Sequence, residues 1–241
     1  MFKELLSISE YPNLQLLAKS PFFEKLGTLL KAYGLVLLAL ILTVPLMLIT
    51  EQIVTQVLHH KGIAPVQRAG MSQMMHKLGY WRAAIYIGII GPLLEETIFR
   101  LPLSLKRIHI ALAFSMAIFL FCGFFLVHIK SPLINWGIRL SLVGIVFSIC
   151  MMFVPNGVSI IDHRFRKQLI ILSICLFGLM HISNYTPIQW PLIWLYPIYV
   201  LPQLCMGWVI TYIRFKNGFF WGFALHCIIN SVSVLLSAGQ F

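Results

Sequence analysis

Two glutamates stand side by side in the apolar run IGIIGPLLEETIFRLPLSL, at Glu95 and Glu96. Two histidines lie in other apolar runs, His181 in ILSICLFGLMHIS and His226 in WGFALHCIINSVSV, and Asn230 follows His226 by four residues. A carboxylate, two imidazoles and a carboxamide supply a base for water, a set of metal ligands and donors for a developing oxyanion. Hydrolysis of an acyl bond needs those roles. An aspartyl dyad is excluded, because the only aspartate is Asp162. The zinc signature HExxH and the Gly-x-Ser-x-Gly elbow are both absent. Glutamate-based or Glu/His metal-assisted chemistry remains.

Helix geometry sorts these residues. Side chains four apart share a face, so Glu96 can pair with Arg100 in the favoured order, while Glu95 points about 100° away and needs a partner from another helix. His226 and Asn230 share a face by the same interval, and Phe177 precedes His181 by four and can pack on its imidazole. A charge near mid-bilayer costs roughly 2.5 to 3.5 kcal/mol on the lenient insertion scales, so an acid pair there requires a function or an ion pair. At about 1.5 Å per residue, His226 lies roughly 15 Å beyond Lys216, His181 roughly 21 Å beyond Lys167, and Glu95 roughly 16 Å from Lys106. These depths place all three at one level of a membrane.

The elements that must position them follow from composition. The chain has 241 residues, 59% hydrophobic and 10% charged, far from the roughly 25% charged of soluble domains. The reading is an all-α, polytopic transmembrane helix bundle: seven spans near 32–50, 83–104, 108–129, 134–154, 168–183, 191–213 and 217–237, or eight if another lies in 51–82. Residues 1–31 form an amphipathic, interfacial segment, with apolar positions at Phe2, Leu5, Leu6, Leu14, Leu16 and Leu17, and 32–241 is a single membrane domain. Stretch 51–82 reads as amphipathic, and no cleavable signal peptide is visible. The net charge of +11 is topological and implies no nucleic-acid partner, because the cations collect between apolar runs. With seven spans, 12 of the 18 Lys and Arg fall on the N-terminal side, which makes that side cytoplasmic. The five cysteines lie singly in apolar runs and read as buried hydrophobes. Histidines 59, 60, 76, 109, 128 and 163 fall at span ends or in loops, Trp81, Trp190 and Trp194 suit an aromatic belt, and Pro92, Pro102, Pro191, Pro197 and Pro202 are expected to kink helices and open a route for substrate.

EETIFR at Glu95 to Arg100, FGLMH at Phe177 to His181 and HCIIN at His226 to Asn230 occur in that order. They resemble the EExxxR, FxxxH and HxxxN motifs of the CPBP family, which comprises CAAX prenyl proteases and bacterial bacteriocin-processing or immunity (Abi) proteins. The resemblance covers about 83–237. It implies an intramembrane endopeptidase in a bacterial cytoplasmic membrane, acting on a membrane-embedded or membrane-associated peptide. Glu95 and His181 would activate the attacking water, His226 and Asn230 would stabilise the oxyanion, and Glu96, Arg100 and Phe177 would support the site. The family is described both as metal-free glutamic proteases and as metalloproteases. In the second case Glu95, His181 and His226 would hold zinc. A non-proteolytic immunity or peptide-binding protein of the same fold, and an ion-coupled transporter using the two glutamates, are the alternative readings.

Overall fold

The computed structural model describes residues 1–7, 20–155 and 163–237, apart from the side chains of Phe124, His163 and Arg164. The interfacial stretch expected around Leu14 to Leu17 and Asp162 lie outside the described residues. All regular structure among the described residues is helical: α1 (Phe2–Leu6), α2 (Phe22–Gln52), α3 (Ala64–Leu78), α4 (Tyr80–Ile85), α5 (Gly91–Phe99), α6 (Arg107–Phe125), α7 (Pro132–Phe153), α8 (His163–Met180), α9 (Tyr196–Tyr199), α10 (Leu201–Asn217) and α11 (Phe219–Ser237), with short 3-10 and π-helical turns between them. The chain divides into two compact units, Met1–Pro92 with Ile170–Phe241, and Leu93–Leu169.

The number of membrane crossings differs from the seven or eight expected. Among the described residues four helices are long and apolar enough to cross a bilayer, Phe22–Val57, Pro132–Phe153, Phe165–Tyr185 and Phe219–Leu236, and a fifth crossing arises if Trp190–Tyr199 and Leu201–Asn217, bent by 42°, count as one. The physical reasons are local. The expected span 83–104 is helical or nearly so throughout, but Glu95, Glu96 and the arginines at 82 and 100 put three charges into every stretch long enough to cross. The expected span 108–129 is represented by the shorter apolar helix Arg107–Gly123. Prolines 191, 197 and 202 break the expected span 191–213, each at the first turn of a helical piece, where proline is tolerated. No eighth crossing arises in 51–82, because α3 is 15 residues long and carries Gln67, Arg68, Gln73, His76 and Lys77.

In the first unit α10 is the central element. Every residue from Val209 to Asn217 is buried, polar ones included, and α2 and α11 pack on it. Gly218, at φ +110°, ends α10 and reverses the chain into α11 in a conformation that other residues rarely adopt. One turn later, a Cβ at Gly222 would meet the Ile210 carbonyl at 3.3 Å, so glycine there permits the two helices to approach closely.

Polar contacts lie at both ends of this unit. At the Lys216 end, Tyr212 and Lys216 donate to Glu4 Oε2 at 2.7 and 2.6 Å, Trp208 donates to the Leu5 carbonyl at 2.8 Å, and Asn217 donates to the Lys25 carbonyl at 3.0 Å. At the opposite end Glu51 Oε2 accepts three hydrogen bonds, from the Tyr199 hydroxyl at 2.6 Å and the backbone N–H groups of Ile63 and Ala64 at 3.2 and 3.1 Å. The glutamate thus caps α3 and ties it to α9. Tyr185, Tyr196 and Tyr199, with Val54, Ile63, Leu192, Leu195 and Val200, form the buried cluster behind that contact.

The second unit is built on the α6–α7 hairpin. Ser131 caps α7 by accepting from the Ile134 N–H, Pro132 occupies its first position, and Asn135 donates to the Leu126 carbonyl at 2.8 Å, closing the turn.

The Glu4 contacts carry a prediction. Hydrogen bonds from Lys216 and Tyr212 lower its carboxyl to about 2 from an ordinary 4.5. A carboxyl lowered in the folded state stabilises above its unfolded value and loses that contribution as pH falls towards the folded one. The contribution of Glu4 to the docking of α1 is therefore present at neutral pH and is lost as pH falls from about 4.5 to about 2. The protection of the Leu5 and Leu6 amides from hydrogen exchange, taken relative to their intrinsic rates at each pH, should fall across that window. Glu4→Gln should show the lower protection already at pH 7.

Candidate active site

Phe177 organises the imidazoles of the first unit. It is fully buried, and its ring lies edge-on to His181 at 4.9 Å and to His226 at 5.6 Å between centroids. One aromatic side chain thus contacts a histidine on its own helix and one on α11, in arrangements that aromatic quadrupoles favour. Gly178, the next residue, lets α8 sit against α10, since a Cβ there would overlap the Leu204 side chain.

His181 marks the point where α8 tightens into a 3-10 turn, His181–Tyr185. Its Nδ1 lies 2.8 Å from the Phe177 carbonyl. A carbonyl only accepts, so Nδ1 carries the proton, and when the ring is neutral Nε2 is its acceptor nitrogen. That is the tautomer a general base or metal ligand requires. His226 is fully buried, whereas His181 and Asn230 are partly accessible.

Asn230 is held by a feature that the sequence motifs do not include. Its Nδ2 donates to the Ile87 carbonyl at 3.0 Å, within the π-helical turn Tyr86–Ile90. A π turn departs from the ordinary helical hydrogen-bond ladder, and such turns recur at functional sites. Gly88 in the same turn faces Ser231, whose Oγ would lie 2.8 Å from an added Cβ, so only glycine permits this approach of α11. The carboxamide has two N–H donors; the carbonyl takes one, and the other can serve an oxyanion.

Glu95, Glu96 and Arg100 belong to the second unit. The four-residue spacing is realised as an ion pair, with Arg100 Nη1 3.2 Å from Glu96 Oε1 and both side chains fully buried. Thr97 donates to the Leu93 carbonyl at 2.7 Å and leaves the helix otherwise regular. Glu95 is half-buried on the adjacent face, with Oε2 shielded from solvent. The pair neutralises two charges buried next to Glu95 on this helix.

The Glu51 contacts with Tyr199 and the α3 N-terminus are the polar cluster that the motifs miss. The sequence places Glu51 at the end of an apolar run, but two of its three partners are backbone N–H groups, which carry no residue signature. Among the other histidines, His109 bonds Ser104 Oγ at 2.6 Å. Trp81, Trp190 and Trp194 are largely exposed, as a belt requires. Among the described residues no group of three or more His, Cys, Asp or Glu is arranged to hold a metal ion. No family model, curated protein or solved structure matches the chain.

The buried ion pair leads to a test of stability. Removing one member of such a pair strands the other and typically costs about 3–5 kcal/mol, whereas replacing both is often close to neutral. Arg100→Gln should therefore lower unfolding stability in detergent by about that amount, and Glu96→Gln/Arg100→Gln should recover most of it.

Proposed function

We propose that the chain is an intramembrane endopeptidase of the CPBP type. It hydrolyses a peptide bond of a membrane-associated peptide, in the cytoplasmic membrane of a bacterium. The observation that carries the reading is the contact of the Phe177 ring with both imidazoles, which packs the FxxxH and HxxxN motifs together inside one unit.

In this reading Glu95 and the Nε2 of His181 take the proton of the attacking water. The water oxygen adds to the scissile carbonyl. His226 and the second N–H of Asn230 stabilise the oxyanion that results, and the proton passes to the leaving amine as the carbon–nitrogen bond breaks. Glu96 and Arg100 position the helix that carries Glu95, and Phe177 orients the two rings. The N-terminus faces the cytoplasm: α1, the start of α2 and the end of α10 meet at one end of their unit through Glu4, Lys25, Lys216 and Asn217, and basic residues gather on the cytoplasmic side.

The test is cleavage of a panel of prenylated and unmodified membrane peptides by purified protein. Glu95→Gln should lower kcat/KM by about 10²-fold or more, as loss of a general base does. Asn230→Ala should cost about 10²–10³-fold, as removal of an oxyanion donor does. Glu96→Gln should be milder than Glu95→Gln. Combining Glu95→Gln with His181→Ala should cost little more than either alone, because groups acting as a unit are not additive. Cleavage unchanged in both Glu95→Gln and His226→Ala would refute the site. A wild-type protein that binds these peptides without cutting them would indicate a binding or immunity role.

A further inference from the structure

The α6–α7 hairpin contains a cation that peptide hydrolysis does not use. From Arg107 to Phe153 there is no aspartate or glutamate, and Arg139 is the only charged residue of α7. No residue of α7 is buried, and Leu133, Trp136 and Leu140 are among its most exposed apolar side chains, as on a lipid-facing helix. Arg139 stands two turns inside α7, about 10 Å from its start. A cation at such depth needs an anion or a route to the interface.

The seat of its side chain is built. Helical side chains lean towards the N-terminus of their helix, which directs Arg139 to the α6–α7 turn. Its Cζ lies 5.8 Å from the centre of the Phe119 ring. Its two terminal nitrogens lie 3.1 and 3.2 Å from where a Cβ would stand on Gly123, so glycine gives the guanidinium a flat bed on α6 and a larger residue would lift it. Nε is buried without a hydrogen-bond partner among the described residues, and Arg139 makes none of the ion pairs there. The Phe119 face offsets part of the charge but accepts no N–H bond. Lys130 stands at the turn towards which the side chain points.

We propose that this hairpin binds the phosphodiester of an anionic phospholipid, taken by the Arg139 guanidinium with Lys130 at the turn and flanked by acyl chains on Leu133, Trp136 and Leu140. A phosphate oxygen matches the guanidinium fork, and the bond is stronger for being charge-assisted and away from water. The aliphatic and indole surround favours a lipid over free phosphate. The inference rests on the membrane placement above and not on the proteolytic reading.

The experiment is native mass spectrometry of the full chain with phosphatidylglycerol, phosphatidylcholine or inorganic phosphate, on wild type, Arg139→Gln, Arg139→Lys and Gly123→Val. Circular dichroism confirms that each variant is folded. Wild type should retain phosphatidylglycerol in preference to phosphatidylcholine. Arg139→Gln should weaken that retention about tenfold, the scale of one charge-assisted bond. Arg139→Lys should fall between the two, and Gly123→Val should resemble Arg139→Gln although its charge is unchanged. Equal retention of both lipids, retention unaffected by Arg139→Gln, or occupancy by inorganic phosphate equal to that by lipid would overturn the proposal. Release of the protein from membranes by alkaline carbonate would instead refute the membrane placement itself.

Discussion

The ion pair of Glu96 with Arg100 expresses the constraint on which the rest of the structure depends: a polar group buried away from water must find its partner inside the protein. Both side chains are fully buried, and each ion alone would carry a desolvation cost of several kcal/mol. The pair allows the helix to carry Glu95 among apolar neighbours. The same constraint accounts for the Asn230 bond to the Ile87 carbonyl and for Glu51, whose one oxygen serves a hydroxyl and two helix N–H groups.

Packing meets that constraint through small residues and one aromatic. Gly88, Gly178 and Gly222 each stand where a Cβ would crowd a neighbouring element. Close approach in lipid is driven by contact between such small positions, since the surrounding tails are as apolar as the side chains. Phe177 then fills the space between His181 and His226 and sets both rings at once. The resulting imidazoles differ in kind. His181 has its tautomer fixed by a backbone carbonyl, whereas His226 is sealed from solvent.

Much of this was legible in the sequence, and the part that was not has identifiable causes. Four-residue spacings foretell local contacts well, because a helix enforces them: Glu96 with Arg100 and Phe177 with His181 are both present. The apolar runs foretell helices. They overstate crossings, because hydropathy reads 83–104 as apolar although three charges interrupt it, and 191–213 as continuous although three prolines divide it. The π turn at Tyr86–Ile90, whose carbonyl holds Asn230, has no residue signature apart from the glycine that permits close packing. The Glu51 cluster joins residues 148 positions apart and uses backbone donors, so no local pattern could announce it.

In the proposed reaction water, activated by Glu95 and His181, cleaves a peptide bond. The most direct measurement is mass analysis of membrane peptides incubated with the purified protein in H2¹⁸O. Wild-type protein should yield fragments whose new carboxyl terminus carries solvent ¹⁸O, and Glu95→Gln should leave the peptide intact. Labelled fragments formed equally by Glu95→Gln, or no cleavage of any membrane peptide by folded wild-type protein, would contradict it.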